Sequence, residues 1–128
     1  MLSCKKKNNE YFVVKGSGKP LRQFIYSDDL ARLILWILQE YNDRETIILS
    51  VGEEDEVSIR DVAMMIAESY DYSEKVVFDT SAADGQFKKT ADNSKLKNIY
   101  KNLTFIDIKE GIKKSVQWFI DNYKTCRK

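Results

Sequence analysis

Hydrophobic and polar positions alternate between two kinds of pattern along this chain. Four short runs rich in β-branched and aromatic residues predict strands, at residues 11–14, 22–26, 46–51 and 76–78. Apolar residues spaced three and four apart predict helices, at residues 30–41, 58–70 and 107–123, with a short helix over 93–98. A long polar loop, residues 79–92, separates the last strand from the last two helices.

The element order, β-β-α-β-α-β-loop-α-α, indicates an α/β fold with a small sheet and packed helices. Ser58 with Asp61, and Asp107 with Glu110, have the spacing of capping boxes at two helix starts. Residues 27–29 supply N-cap candidates for the helix over 30–41. That helix is apolar on nearly all sides, so we expect a neighbour on each of two faces.

Composition narrows the classes of function. The 128 residues suit one domain, and a net charge of +1 gives no reason to expect nucleic acid or a membrane surface as partner. The chain has no histidine, and its two cysteines, Cys4 and Cys126, lie at opposite ends, so we expect no metal site and two free thiols. The first residues do not read as a signal peptide, which makes the cytoplasm the expected compartment.

Three motifs of dinucleotide and nucleotide enzymes fail on inspection. Gly16–Lys19 resembles a phosphate loop, but Pro20 follows where a helix would have to begin. Leu21 occupies the third glycine position of the dinucleotide fingerprint. Tyr11 and Lys15 have the spacing of a dehydrogenase pair, but a strand separates such residues by roughly 13 Å, whereas a helix would make them neighbours.

One longer pattern is specific. Residues 16–31, Gly-Ser-Gly-Lys-Pro-Leu-Arg-Gln-Phe-Ile-Tyr-Ser-Asp-Asp-Leu-Ala, resemble the pattern of extended short-chain dehydrogenases that act on nucleotide-diphospho sugars. Residues 48–59 and 78–90 are similar to GDP-L-fucose synthases, and the block Asp84–Lys89 is the most specific part. The resemblance runs from about residue 12 to the end of the chain.

The resemblance implies four substrate-binding residues. Arg22 matches an arginine that contacts the GDP diphosphate, and Lys89 matches a lysine with the same role. Asp84 matches a substrate-binding aspartate. Lys15 falls where the family usually has a tryptophan that packs on the substrate, which is a departure, because lysine offers no flat surface. We also expect Lys88 and Lys89 to form a basic pair opposite Arg22.

The resemblance also implies a division of labour. Residues 1–10 would form an N-terminal extension, and residues 11–128 the C-terminal sugar-nucleotide-binding domain, without the Rossmann domain. The family makes GDP-L-fucose from GDP-4-keto-6-deoxy-D-mannose with NADPH. Its cofactor-binding and catalytic residues have no counterpart here. We therefore expect this chain to form the GDP-sugar-binding portion of the enzyme, and on its own to bind neither NADPH nor a metal and to lack catalysis. One alternative is a stand-alone GDP-sugar-binding or regulatory module without enzyme activity. Others are a fragment of a different nucleotide-sugar epimerase or reductase, which the Asp84–Lys89 block disfavours, and a structural scaffold with a degenerate pocket, which Lys15 favours. Exposed apolar surface on the helix over 30–41 would favour self-association or pairing with a cofactor domain.

Overall fold

The computed structural model describes residues 1–2 and 10–127. Most of the predicted N-terminal extension, with Cys4, lies outside the described residues, and Cys126 is a free thiol. The described elements, in chain order, are β1 (Phe12–Lys15), β2 (Leu21–Arg22), α1 (Ser27–Glu40), β3 (Val57–Ser58), α2 (Ile59–Glu68), β4 (Val76–Asp79), α3 (Ser94–Ile99) and α4 (Ile108–Asp121), with 3-10 turns at Glu53–Asp55 and Ser73–Lys75.

The strands form two separate pairs, so the predicted small sheet is divided. β1 and β4 run parallel, with Phe12 opposite Val76 and Lys15 opposite Asp79. β2 and β3 run antiparallel, and a single parallel bridge joins Leu21 to Lys88 on the other side of β2. The α/β class is confirmed. The long loop between β4 and α3 lies along the edge of β2 that does not pair with β3.

The strand predicted at residues 46–51 is wrong: this segment joins no β-ladder with the described part of the chain. Side-chain amides bind its carbonyl groups instead. Gln23 Nε2 donates to the Val51 carbonyl at 2.8 Å, and Asn93 Nδ2 donates to the Ser50 carbonyl at 2.9 Å. A strand needs a neighbouring backbone, and here side chains take that place.

Helix α1 begins three residues earlier than predicted, at Ser27, and its N-cap Tyr26 makes no side-chain capping bond. The N-cap role expected for residues 27–29 is therefore wrong. Asp29 is buried inside the helix, where its carboxylate accepts from the Ile106 amide at 2.8 Å and from Arg32 Nη2 at 2.9 Å. The acidic residue thus connects α1 to the segment that leads into α4.

The other predicted caps are formed where local sequence specified them. Ser58 and Asp61 make a reciprocal capping box at the start of α2, and the Asp107 side chain accepts from the amides of Lys109 and Glu110 at α4. The return bond of a capping box, from the Asp107 amide to the Glu110 carboxylate, is absent from the α4 cap.

The core lies between α2 and α4, where Tyr70, Tyr72 and Val116 are buried together with Phe12 and Ile66 packed against them. Helix α1 contributes the fully buried Leu33, but its opposite side is open: Leu35 is 60% exposed and Leu38 is 76% exposed. Burial of α1 on both faces is therefore wrong for the described residues, and the predicted exposed apolar surface on this helix is confirmed. None of the helices in the described part of the chain has the length and apolar character needed to cross a bilayer.

Candidate functional site

The site is built on the turn Gly16–Ser17–Gly18 that follows β1. Gly16 and Gly18 adopt φ angles of +92° and +77°, a left-handed region that favours glycine. The loop after β4 closes onto this turn through Asp84, whose carboxylate accepts from the Ser17 amide at 2.7 Å and from the Ser17 hydroxyl at 2.5 Å. A Cβ on Gly16 would lie 2.6 Å from Asp84 Oδ1, so only glycine permits this approach.

The charge of the Asp84 carboxylate is stabilised by its contacts with the glycine turn. The hydrogen bonds from the Ser17 side chain and backbone, followed by the charge of Lys19, hold the pKa of Asp84 below its ordinary value. The carboxylate is therefore ionised at neutral pH, and its role in this structure is to fasten the loop to the glycine turn.

Arg60 and Phe78 support the turn from the other side. The Arg60 guanidinium stacks 3.8 Å from the Phe78 ring centre and donates from Nη2 to the Ser17 carbonyl at 3.0 Å. A Cβ on Gly18 would lie 2.7 Å from the Phe78 ring and 2.9 Å from Arg60 Cβ. The turn is consequently packed on both of its sides.

Arg22 joins β2 to the same loop. Its Nη1 donates to the Leu21 carbonyl at 2.6 Å and to the Phe87 carbonyl at 3.4 Å, and its Nη2 donates to the Gln86 carbonyl at 2.8 Å. No carboxylate of the described residues forms an ion pair with Arg22, so its charge is not neutralised. A guanidinium has five donors, so two N–H groups of Arg22 form no hydrogen bond with the described residues.

The structure therefore brings Arg22 and Asp84 to one loop, with Gly85 between them; a Cβ on Gly85 would lie 4.0 Å from Arg22 Nη2. Lys89 is exposed on the same loop, and Lys15 is exposed at the end of β1, directly before the glycine turn. Neither lysine side chain forms a hydrogen bond or an ion pair with residues 1–2 or 10–127. Binding of a substrate by these four residues stays a prediction.

The expected basic pair opposite Arg22 is not what the structure shows. Lys88 forms ion pairs with Glu53 and, at 3.4 Å, with Glu56. These carboxylates, Glu53 first, raise the pKa of Lys88 above its ordinary value. The Lys88 ammonium is therefore paired with protein carboxylates. Of the two lysines, only Lys89 has a charge that no carboxylate of the described residues neutralises.

The residues near the turn do not suit a dinucleotide. Leu21, at the third glycine position, lies in a strand where the fingerprint requires the start of a helix. The turn is covered by Asp84 on one side and by Arg60 with Phe78 on the other. Within the described part of the chain, no group of three metal-ligating side chains could hold a metal ion.

Sequence reasoning missed three residues of this site. Ser17 provides both donors to Asp84, Arg60 supports the turn, and Glu56 binds Lys88. Their partners lie 67, 43 and 32 residues away in the sequence. Local sequence patterns cannot predict pairings over such separations.

Comparisons with known proteins identify the relatives of this arrangement. The model of the NAD dependent epimerase/dehydratase family matches residues 2–52. GDP-L-fucose synthase of Dictyostelium discoideum is 57% identical over 122 residues, which is 95% of this chain and 38% of that protein. This chain is homologous to one part of GDP-L-fucose synthase.

Two further relatives agree with that assignment. A probable GDP-L-fucose synthase of Drosophila melanogaster is 47% identical over 94% of this chain and 38% of its own length. The crystal structure of a GDP-L-fucose synthetase from Naegleria fowleri bound to NADP is 47% identical, with a TM-score of 0.93 over 99% of this chain and 40% of that one. The chain spans about two fifths of the length of these relatives.

Proposed function

We propose that this chain binds the GDP part of a GDP-sugar, as the substrate-binding portion of a GDP-L-fucose synthase that converts GDP-4-keto-6-deoxy-D-mannose to GDP-L-fucose with NADPH. The homology with GDP-L-fucose synthases supports the ligand class. In this proposal NADPH and the catalytic groups are held by residues outside these 128, because the glycine turn does not suit a dinucleotide.

Arg22 is the observation that carries the proposal. Three carbonyl groups fix its guanidinium in place, and no carboxylate of the described residues neutralises it. A fixed guanidinium with free donors suits a diphosphate, because the planar fork can bind two phosphate oxygens at once. Lys89 would add a second positive charge, and Lys15 a third at the end of β1.

Calorimetric titration of the chain with GDP, GMP and UDP tests the proposal. We expect GDP to bind more tightly than GMP, because the second phosphate adds charge for Arg22 and Lys89. UDP should bind more weakly than GDP if the base is also recognised. Absence of GDP binding at millimolar concentration would refute the proposal for this chain.

A pair of variants ties the binding to Arg22. Arg22→Met should weaken GDP binding about tenfold or more, since a hydrogen bond to a charged group contributes about 1.5–3 kcal/mol. Arg44→Met removes an exposed arginine on the loop after α1 and should leave the affinity unchanged. Equal effects of the two substitutions would show that only overall charge matters.

A trans-complementation assay separates an enzyme portion from a stand-alone binding module. The cofactor-binding region of a relative is mixed with this chain, and oxidation of NADPH is followed in the presence of GDP-4-keto-6-deoxy-D-mannose. Restored turnover supports the enzyme portion. Binding without turnover supports the stand-alone module.

A further inference from the structure

A buried carboxylate binds the same loop that carries the proposed ligand-binding Lys89. The Glu56 side chain is only 5% exposed, whereas Glu53, which also binds Lys88, is 66% exposed. A charged carboxylate taken out of water needs partners, and Glu56 has two on the loop after β4: the Lys88 ammonium at 3.4 Å and the Thr90 hydroxyl. An acidic group bound to a loop that would bind an anion calls for an explanation.

The arrangement of the neighbouring strands lets Glu56 contact the loop after β4. β2 lies between β3 and the loop: Arg22 is opposite Val57 on one side, and Leu21 bridges to Lys88 on the other. Glu56 immediately precedes β3, so the Lys88 side chain reaches across β2 to bind it. The ion pair between Lys88 and Glu56 therefore connects the loop to the residue before β3, across β2, which carries Arg22.

The two loop residues that bind Glu56 are two positions apart, and this spacing determines the direction of the Lys89 side chain between them. Lys88 and Thr90 both bind Glu56, and in an extended segment alternate side chains point to the same face. Lys89, between them, is therefore turned to the opposite face, where it is exposed. Glu56 thus holds the loop so that the Lys89 side chain faces away from Glu56 and stays free for a ligand.

We propose that Glu56 is a positioning residue, which through Lys88 and Thr90 holds the loop after β4 in the binding geometry of Arg22 and Lys89. This inference rests on the proposed function for its ligand, although not for the loop geometry itself. Glu53 is the nearer partner of Lys88 and the larger cause of its raised pKa. Its side chain is exposed, so holding it in one geometry costs entropy and water screens the pair, and we expect it to contribute less than Glu56 to the position of the loop.

The proposal predicts an effect of unexpected sign. By charge alone, removing a carboxylate bound to this loop should strengthen binding of a negatively charged ligand. If Glu56 positions the loop, Glu56→Gln should weaken GDP binding instead, by about threefold to tenfold, which corresponds to about 0.6–1.4 kcal/mol and lies within the coupling expected for residues of one ion-pair network.

Matched variants in the full 128-residue chain separate position from charge. Glu53→Gln removes the same charge from the same turn and should change GDP affinity less than twofold. Lys88→Met should weaken binding as Glu56→Gln does, and Lys88→Arg should restore most of it. Unchanged or tighter GDP binding by Glu56→Gln, or an equal loss in Glu53→Gln, would overturn the proposal.

A ligand-free measurement keeps the test independent of the proposed function. The Leu21 amide donates to the Phe87 carbonyl at 2.8 Å and so reports on attachment of the loop, while the Gly16 amide, which donates to Asp79 at 2.9 Å, reports on the β1–β4 pair. In hydrogen exchange, Glu56→Gln and Lys88→Met should speed exchange at Leu21 but not at Gly16. If the unsubstituted chain does not bind GDP, the proposed function fails, and unchanged exchange at Leu21 would separately refute the positioning role.

Discussion

Substitution of Gly16 by alanine tests how the glycine turn is held. The new Cβ would lie 2.6 Å from Asp84 Oδ1, and the residue would have to keep a φ of +92°. The left-handed conformation alone costs a non-glycine residue about 1–2 kcal/mol. The displaced Asp84 would also lose its bonds to Ser17, which adds to the loss of stability.

The expected change in melting temperature follows from the length of the chain. At about 2.1 cal/mol/K per residue, 128 residues unfold with an entropy of about 270 cal/mol/K, so 1–2 kcal/mol corresponds to about 4–7 °C. Thermal unfolding followed by circular dichroism measures this shift. Gly16→Ala should melt at least about 4 °C below the unsubstituted chain.

Gly85→Ala is the matched control on the loop that closes over the turn. Its Cβ would meet only Arg22 Nη2, at 4.0 Å, which is ordinary contact. We expect a change in unfolding free energy within about 0.5 kcal/mol. An unchanged melting temperature in Gly16→Ala, or an equal loss in Gly85→Ala, would refute the argument that Asp84 and backbone conformation fix glycine at position 16.

Three further predictions concern the fold and the site. Asp29→Ala should destabilise the chain by about 1–3 kcal/mol in urea unfolding, because the partly buried Ile106 amide loses its acceptor, the buried Asp29 carboxylate; an unaffected midpoint would contradict this. Because folding lowers the pKa of Asp84, its contribution to stability is present above its ordinary pKa of 3.8 and is lost as pH falls through the lower folded value. Asp84→Asn should therefore lower the free energy of unfolding at pH 6 but not near pH 2. A difference in unfolding free energy that persists at low pH would contradict this. If the exposed side of α1 drives self-association, Leu38→Glu should lower the mass average in sedimentation equilibrium, whereas Lys124→Glu should not.

Features specified by neighbouring residues could be predicted from the sequence. The cap at Ser58 depends on Asp61 three residues later, and the Asp107 cap depends on the helix that follows it. β1 and β4 were predicted within one residue, since their β-branched runs end at turns. Arg22, in β2, binds the loop after β4 that carries Asp84, and the binding role of both residues stays a prediction.

Features that depend on distant partners could not be predicted. The apolar composition of residues 46–51 suits a strand, but pairing depends on a neighbour, and Gln23 and Asn93 bind its carbonyl groups instead. Lys88 was expected to face a ligand together with Lys89, but its charge pairs with Glu53 and Glu56, which belong to a distant segment of the chain. The division into an extension at residues 1–10 and a domain at residues 11–128 stays a prediction.

The central claim is that the glycine turn and the loop after β4 form a site for GDP. Amide NMR of the labelled chain during titration with GDP, then with UDP, tests it most directly. We expect dispersed peaks, with GDP-dependent shifts at Ser17, Arg22 and residues 84–89, and smaller shifts with UDP. A folded spectrum in which these amides do not respond to GDP, or respond equally to any anion, would contradict the claim.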